Sequence, residues 1–173
     1  MKHKTAAYSD LPAIMELVNE AKAGFKAKGI NQWQKGEPNE EGLGASIRKS
    51  QVLVLTEDEE ILGMITVVPG PEKSYQTIQG AWPDKEPYYA FHRVCVRERC
   101  RGQNLAGQLF SLGEAIAREQ GITSIRIDTH PDNIPMQHTL LKNGFRLCGQ
   151  ITLAEGAEAG SPRLGYCKKL EFR

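Results

Sequence analysis

The segment from residue 97 to residue 106 has the composition of an anion-binding turn. Its polar part is Arg97-Glu98-Arg99-Cys100-Arg101-Gly102-Gln103-Asn104, and apolar residues at helical spacing follow it directly. A turn that opens into a helix presents backbone N–H groups without intrahelical partners, and the helix dipole adds partial positive charge. Both properties favour a bound phosphate. The turn lacks the Walker sequence and the G-x-G-x-x-G dinucleotide fingerprint, so we expect a phosphate site of another kind.

Arginines are concentrated around this turn, at Arg93, Arg97, Arg99 and Arg101. Guanidinium groups bind phosphate through charge-assisted hydrogen bonds, which is one function for them here. A solvated surface is the other interpretation, and for Arg97 and Arg99 we favour it. The local excess of positive charge predicts an anion site in a chain that is otherwise balanced.

The elements that position the turn follow from hydrophobic spacing. Residues 88–96 are of strand type, and a helix is predicted over 105–120. The apolar stripe of that helix consists of Leu105, Leu109, Leu112 and Ile116. Apolar residues then alternate with Arg126, Asp128 and His130, which predicts a half-exposed strand over 124–130.

The remaining elements complete a mixed α/β pattern. Further strands are predicted at 4–8, 52–55, 61–68, 145–153 and 163–172, and further helices at 11–27, 39–50 and 133–142. A loop rich in proline and glycine spans 69–87, and a loop of this length is usually functional or mobile. The order of elements predicts a mixed sheet covered by helices on both faces.

Composition excludes several classes of protein. The chain has 173 residues, with 22 basic and 21 acidic side chains, so it lacks the positive field of a dedicated nucleic-acid binder. No apolar run approaches the roughly 20 residues that span a bilayer, and the first residues do not form a signal peptide. We therefore expect a single cytoplasmic domain over residues 1–173, with no membrane or nucleic-acid partner.

The four cysteines give no sign of a metal centre. Cys95, Cys100, Cys148 and Cys167 form no C-x-x-C pair, whereas zinc sites usually show closely spaced pairs. A disulfide framework is also not expected in a cytosolic chain of this size. The prediction is for buried or half-buried thiols that act as small apolar side chains, with no metal bound.

Two segments together resemble the GNAT superfamily of N-acetyltransferases. Val96-x4-Arg101-Gly102-x-x-Leu105-Ala106 is similar to that family's acetyl-CoA pyrophosphate loop. Asn133-Ile134-Pro135-Met136 and Asn143-Gly144-Phe145 resemble its second signature. The resemblance implies the acyl-CoA N-acyltransferase fold, with a mostly antiparallel sheet of about seven strands. That sheet would be splayed between the fourth and fifth predicted strands, 88–96 and 124–130.

The resemblance also implies an activity and a set of residues for the co-substrate. The protein would be an enzyme that transfers an acetyl group directly from acetyl-CoA to a primary amine of a small molecule or peptide. The residues implied in binding acetyl-CoA are Val94, Cys95, Val96, Arg101, Gly102, Gln103, Asn104, Leu105, Ala106 and Asn133.

Two positions depart from the family pattern. Asn104 replaces the usual glycine, but asparagine tolerates left-handed backbone better than other residues with side chains, so we expect the loop to survive. Leu140 stands where much of the family has a tyrosine that protonates the leaving thiolate, and leucine cannot donate a proton. These departures keep open a CoA-binding sensor or pseudoenzyme without turnover. A protein-interaction domain that retains only the fold is a third alternative.

Amine acetylation needs a base, because an amine with a pKa near 10 is mostly charged at neutral pH. Asp128 is one candidate, since a glutamate base occupies the corresponding position in the ribosomal-protein alanine acetyltransferases. Pairing with Arg126 or with a turn donor is the structural alternative for this carboxylate. His92 is the other candidate, because an imidazole suits proton transfer near neutral pH. A half-buried structural histidine is the alternative there.

The acceptor side is the least defined. Gln32, Trp33 and Trp82 are candidates for lining an acceptor site, because the family uses corresponding loops for this purpose. Plain core anchoring is nearly as good an interpretation of both tryptophans. The sequence does not fix the acceptor, and a homodimer is one candidate assembly.

Overall fold

The computed structural model describes residues 1–171, in which four α-helices and eight strands form. The helices are α1 (Leu11–Ala27), α2 (Glu40–Arg48), α3 (Leu105–Glu119) and α4 (Ile134–Lys142). The strands are β1 (Lys2–Thr5), β2 (Val52–Glu57), β3 (Glu60–Pro69), β4 (Gln79–Gly80), β5 (Tyr88–Val96), β6 (Ser124–Thr129), β7 (Arg146–Thr152) and β8 (Pro162–Lys169). Phe172, where the last predicted strand ends, lies outside the described residues.

The strands form a single mixed sheet in the order β1-β2-β3-β5-β6-β8-β7-β4. The pairings β1–β2, β2–β3, β6–β8, β7–β8 and β4–β7 are antiparallel, and β5–β6 is parallel. The mixed, mostly antiparallel sheet is as predicted. The sheet has eight strands in the described residues, against about seven expected, because the loop over 69–87 contributes the two-residue strand β4.

Residue contacts divide the chain into two compact units. The first unit contains Met1–Val67 and His92–Gly113, and the second contains Val68–Phe91 and the chain from Glu114 onward. The boundaries fall inside β3, β5 and α3, so each of these elements contributes residues to both units.

The first unit has an apolar core formed by α1 and α2 with β2 and β3. Helix α1 occupies the predicted range because apolar residues recur on one side of it at helical spacing. Its fully buried members are Ile14, Leu17 and Val18. Strands β2 and β3 are joined by a two-residue turn in which Asp58 and Glu59 have φ of 49° and 66°. Positive φ at both positions is what a tight type I′ hairpin requires.

The second unit is built around β6. Strand β6 is parallel to β5, with Tyr88 opposite Ser124 and Phe91 opposite Ile127. On its other side it is antiparallel to β8, where Asp128 lies opposite Gly165. The splay expected beyond the paired residues of β5 and β6 stays a prediction.

The loop over 69–87 is folded in the second unit. It contains a short 3₁₀ turn at Lys73–Tyr75 and strand β4, which pairs with β7. Tyr75 is only 2% exposed and belongs to a buried cluster with Tyr88, Ala90 and Ile151. The pairing of β4 with β7 and the burial of Tyr75 therefore attach this loop to the sheet of the second unit.

This loop also overturns the prediction that β6 is half-exposed. Arg126 on the polar side of β6 is only 5% exposed, because Trp82 and Tyr88 cover its guanidinium. Alternation correctly identified the strand, but it could not show that a distant loop covers the polar face. The consequence is that β6 is buried on both sides over most of its length.

The cysteine prediction is corrected in part. Cys148 and Cys167 form a disulfide between β7 and β8, because strand pairing brings together two residues whose spacing carries no motif. Cys95 and Cys100 are free and buried, as predicted. Burial raises the pKa of the Cys95 thiol to about 12, so it stays protonated at neutral pH and is a poor nucleophile.

Two further searches of residues 1–171 gave negative findings. No group of three or more His, Cys, Asp or Glu side chains in that range is arranged to hold a metal ion. None of the helices described there is both long enough and apolar enough to cross a membrane.

Candidate active site

The predicted anion-binding turn lies between β5 and α3, in the first unit. A 3₁₀ turn at Glu98–Cys100 follows β5, and α3 then begins at Leu105. Gly102 and Asn104 have φ of 81° and 57°, which is the left-handed region that glycine favours. The expectation for Asn104 is therefore confirmed, since asparagine takes up the conformation that a glycine would supply.

Close packing fixes the start of α3. Leu105 is 2% exposed and Leu109 is fully buried. A Cβ on Gly63 of β3 would lie 3.1 Å from Val96 Cγ1 and 3.3 Å from Leu109 Cδ1, so a larger residue there would push these side chains by a few tenths of an ångström. Close packing therefore holds the first turn of α3 in place. The N–H groups of this turn have no intrahelical partners, and the helix dipole adds partial positive charge there.

The arginines near the turn already have partners within the first unit. Arg97 forms ion pairs with Glu16 and Glu20 at 3.9 and 3.8 Å, and its Nε donates to the Ile61 carbonyl at 3.1 Å. With its side chain only 14% exposed, Arg97 is not the solvated residue that we favoured. It anchors the end of β5 to α1 and β3.

The other arginines differ in how available they are. Arg99 pairs with Glu60, and Arg93 Nη1 donates to Ser46 Oγ at 2.8 Å. Arg101 pairs with Glu98 at 2.9 Å, and both side chains are about half exposed. Exposed pairs of this kind contribute little to stability, so Arg101 can leave Glu98 for a phosphate at small cost.

Strand β5 carries the residues predicted to face the thioester. Cys95 is buried in the apolar core of the first unit, whereas His92, Val94 and Val96 are half-buried. Arg93 has φ of 54° within the strand, so the regular strand conformation is interrupted one residue before Val94. No acid–base role for His92 follows from its position alone, and its catalytic role stays a prediction.

In the second unit, Asp128 of β6 accepts a hydrogen bond from the hydroxyl of Tyr75. The distance between Tyr75 Oη and Asp128 Oδ2 is 2.7 Å. Burial, reinforced by the nearby Asp128 charge, raises the pKa of Tyr75 well above its usual value. Tyr75 therefore keeps its proton and remains a donor. We did not identify Tyr75 from the sequence, where its only distinction is being an aromatic residue in a long loop.

The Arg126 guanidinium contacts aromatic rings and a backbone carbonyl, whereas we had considered it as a partner of Asp128. Its guanidinium carbon lies 4.5 Å from the Trp82 ring centroid and 4.0 Å from that of Tyr88. Its Nη2 donates to the Asp84 carbonyl at 3.0 Å. The buried Nε has no hydrogen-bond partner among the described residues. The guanidinium thus holds two aromatic rings together.

Trp82 packs against β8 at Gly165, the residue that is paired with Asp128 of β6. A Cβ on Gly165 would come within 2.8 Å of the Trp82 ring, and Gly165 is the register partner of Asp128. The indole Nε1 donates to the Tyr75 carbonyl at 2.8 Å. Trp82 is therefore an anchor of the loop that also lies near the candidate base, which keeps both interpretations of it open.

His130 directly follows the last residue of β6. Its Nδ1 accepts a hydrogen bond from the Asp132 backbone N–H at 3.0 Å. Burial, together with the nearby positive charge of Arg163, lowers the pKa of His130 below its usual value. A neutral imidazole that already accepts a backbone hydrogen bond is structural in character.

Asn133 lies at the start of α4, and Leu140 lies within this helix. Asn133 is the N-cap, and its Oδ1 accepts a hydrogen bond from the Met136 N–H at 3.2 Å. It is only 5% exposed, and a role in binding acetyl-CoA stays a prediction. Leu140 is fully buried, so the position of the family's proton donor is occupied here by an apolar core residue.

The first-unit residues predicted to line an acceptor site are engaged in local structure. Trp33 has φ of 61° and meets Phe25 edge to face, with ring centroids 5.5 Å apart. It also packs against the core formed by α1 and α2. The Gln32 carbonyl accepts a hydrogen bond from Gln34 Nε2 at 3.0 Å. Core anchoring is the better supported interpretation of Trp33.

Comparisons with known proteins agree with this geometry. Residues 12–145 match the model of the acetyltransferase (GNAT) family. The chain is 28% identical over 147 residues to a Bacillus subtilis (strain 168) protein described as the uncharacterized N-acetyltransferase YesJ, with 83% of this chain and 81% of that protein covered.

Solved structures show the same likeness. A GNAT family acetyltransferase from Streptococcus agalactiae 2603 is 30% identical with a TM-score of 0.85, covering 99% of this chain and 96% of that one. The PaiA N-acetyltransferase from Thermoplasma acidophilum, crystallised with coenzyme A, has 18% identity and a TM-score of 0.70. That alignment covers 97% of this chain and 98% of the other, and at this identity the likeness is one of fold.

Proposed function

Because this chain belongs to the acetyltransferase (GNAT) family, we propose that it transfers an acetyl group from acetyl-CoA directly to a primary amine of a small molecule or peptide. The observation that carries the proposal is the turn before α3, where Gly102 and Asn104 are left-handed and the helix opens at Leu105. A Cβ on Gly102 would meet nothing within 4 Å, so the turn also has room beside it.

The residues of this turn suit the pyrophosphate of CoA. Backbone N–H groups from Gly102 to Ala106 and the exchangeable Arg101 would bind the phosphate oxygens. The family resemblance adds the backbone of Val94–Val96 for the pantetheine and the thioester carbonyl. Bound acetyl-CoA supplies an activated acyl group, and N–H donors at the carbonyl oxygen stabilise the charge that develops there.

Asp128 is the base that we propose. It accepts a proton from the ammonium of the acceptor, and the free amine attacks the carbonyl carbon. The C–S bond then breaks and releases the CoA thiolate, and the nitrogen gives its second proton to solvent while the amide forms. His92 is the alternative base.

The leaving thiolate is handled differently from much of the family. Since Leu140 is an apolar core residue, the thiolate takes its proton from solvent or from another group. A thiol pKa of about 8.5 makes it a tolerable leaving group near neutral pH. The same substitution favours the second candidate function, a CoA-binding sensor without turnover.

Two measurements separate these functions. Calorimetry with acetyl-CoA should give saturable binding, and the absence of binding at high micromolar concentration would reject both functions. A thiol-release assay with a polyamine, an aromatic monoamine and a peptide with a free amino terminus should then give turnover with at least one acceptor. Binding without turnover on an enlarged amine panel would favour the sensor.

A further inference from the structure

The hydrogen bond between Tyr75 and Asp128 links the long loop of the second unit to the candidate base. Tyr75 comes from a segment 53 residues earlier in the chain and reaches Asp128 Oδ2 at 2.7 Å. Its ring is held by neighbouring aromatics, with centroid distances of 5.2 Å to Trp82 and 6.2 Å to Tyr88. The Trp82 indole also donates to the Tyr75 backbone carbonyl. The hydroxyl and the backbone carbonyl of Tyr75 are therefore both held by hydrogen bonds.

We propose that Tyr75 is a positioning residue for Asp128, because its hydroxyl holds the carboxylate in one orientation and in its charged form. The proposal rests on the proposed function, in which Asp128 is the base. It adds a residue outside the motifs that relate the chain to its family.

A neutral donor suits this purpose better than a cation does. An arginine paired with Asp128 would place a full positive charge against the carboxylate and weaken it as a base. Arg126 shares the polar side of β6, but its guanidinium lies between Trp82 and Tyr88 and donates to the Asp84 carbonyl. Tyr75 stays protonated because burial and the Asp128 charge both disfavour the phenolate. It can therefore donate throughout the pH range of the reaction.

Other ionisable groups lie near Tyr75 and Asp128 and can affect their titration. Glu72 and Tyr88 act on Tyr75 electrostatically from the loop and from β5. Arg126 lies on the polar side of β6 and His130 directly follows this strand, and β8 contributes Gly165 opposite Asp128. Any variant used as a control must leave these groups in place or change one that does not contact Asp128.

Tyr75→Phe removes the hydroxyl and keeps the ring. Tyr88→Phe is the matched control, because its hydroxyl belongs to the same cluster but accepts a hydrogen bond from the Glu72 backbone N–H at 2.6 Å. The readout is a ¹³C NMR titration of protein labelled at the aspartate carboxyl carbon. The sequence contains five aspartates, at 10, 58, 84, 128 and 132, and Asp128→Asn assigns the relevant resonance.

In Tyr75→Phe, the titration midpoint of Asp128 should move to higher pH by about one unit, since a charge-assisted hydrogen bond to the carboxylate is lost. In Tyr88→Phe it should stay within about 0.3 unit. An equal midpoint in the two variants overturns the proposal. If Tyr75→Phe does not fold, Trp82→Phe, which releases the Tyr75 carbonyl, should give a smaller shift in the same direction, and no shift overturns the proposal.

A kinetic experiment uses the amine that gives the highest kcat/KM in the thiol-release assay. Tyr75→Phe should lower kcat/KM about tenfold relative to Tyr88→Phe and move the acidic limb of the profile upward, with KM for acetyl-CoA unchanged. If Asp128→Asn has normal rates, the proposed base is wrong. If Asp128→Asn is impaired but Tyr75→Phe matches Tyr88→Phe, the base is retained and the positioning role is rejected.

Discussion

At the scale of single residues, Asp128 is the base that we propose for the acceptor amine, and His92 is the alternative. They belong to different units and differ in their surroundings, since Asp128 accepts a hydrogen bond from Tyr75. Removing the carboxylate while keeping the side-chain shape therefore distinguishes the two.

We expect Asp128→Asn to lower kcat/KM about 100-fold and to remove the enzyme's contribution to the acidic limb of the pH profile. The reason is that an amide cannot accept the proton. The comparison variant is His92→Gln, for which we expect less than about a threefold change. The measurement is the pH dependence of kcat/KM for both. A normal profile in Asp128→Asn, with a collapsed one in His92→Gln, would move the base to His92.

The left-handed residue before α3 makes a second prediction. Asn104 has φ of 57°, and a β-branched residue pays about 1–2 kcal/mol to adopt that conformation. We expect Asn104→Val to weaken acetyl-CoA binding about tenfold, whereas Asn104→Gly should bind within about threefold of the original. Calorimetric titration of both variants is the measurement. Equal weakening in the two would show that the asparagine side chain, rather than its backbone, matters.

At the scale of elements, strand β4 holds the loop that carries Tyr75 and Trp82. The strand pairs with β7 through Gln79 opposite Gln150 and Gly80 opposite Gly149. A Cβ on Gly149 would lie 2.1 Å from the Gln79 carbonyl oxygen, so this pairing requires glycine. The attachment of the loop therefore depends on a backbone contact that any side chain would break.

We expect Gly149→Ala to detach β4, to lower the free energy of unfolding by about 2 kcal/mol and to speed hydrogen exchange at residues 79–81. Gly160→Ala is the matched control. Gly160 also has positive φ, at 89°, but a Cβ there would meet nothing within 4 Å. Hydrogen exchange followed by mass spectrometry compares the two. Unchanged exchange at residues 79–81 in Gly149→Ala would contradict this role for β4.

The elements also show what a sequence can and cannot predict. Helix α1 has the predicted limits because its apolar residues recur at helical spacing, and strand β5 has them because aromatic and β-branched residues dominate the run between a proline-containing loop and a polar turn. Strand β4 was missed, since two residues carry no period. Tyr75 was missed and the exposure of β6 misjudged for a related reason. Both depend on which distant loop covers the strand. The Cys148–Cys167 disulfide was missed for another reason, since it depends on the pairing of β7 with β8.

The same distinction between local and distant contacts applies to the candidate site. The turn at 101–106 was predicted, because a local run of sequence forms it. The environment of Asp128 was not, because its partner Tyr75 is 53 residues away in the chain. Local sequence therefore predicted the backbone of the turn, whereas the role of its residues in binding the co-substrate stays a prediction.

At the scale of the whole molecule, three elements have residues in both compact units. The unit boundaries fall after Val67 in β3, after Phe91 in β5 and after Gly113 in α3. Unfolding one unit alone would break β5 and α3 within their length and separate the last two residues of β3 from the rest of that strand. We infer that the chain unfolds cooperatively.

We therefore expect a single calorimetric transition, with a van't Hoff enthalpy equal to the calorimetric one. For 173 residues, the enthalpy near 60 °C should be about 120 kcal/mol. Differential scanning calorimetry gives both values. Two resolved transitions, or a van't Hoff enthalpy near half the calorimetric value, would show that the units unfold separately and that the chain is not one domain.

The placement of the tryptophans gives the protein its own optical labels. The sequence contains two, with Trp33 edge to face with Phe25 in the first unit and Trp82 beneath Arg126 in the second. Replacing Trp33 by phenylalanine would leave a single tryptophan, on the loop that reaches Asp128. Its emission, excited apart from that of the tyrosines, would report on any ligand that changes the surroundings of this loop, without an attached dye.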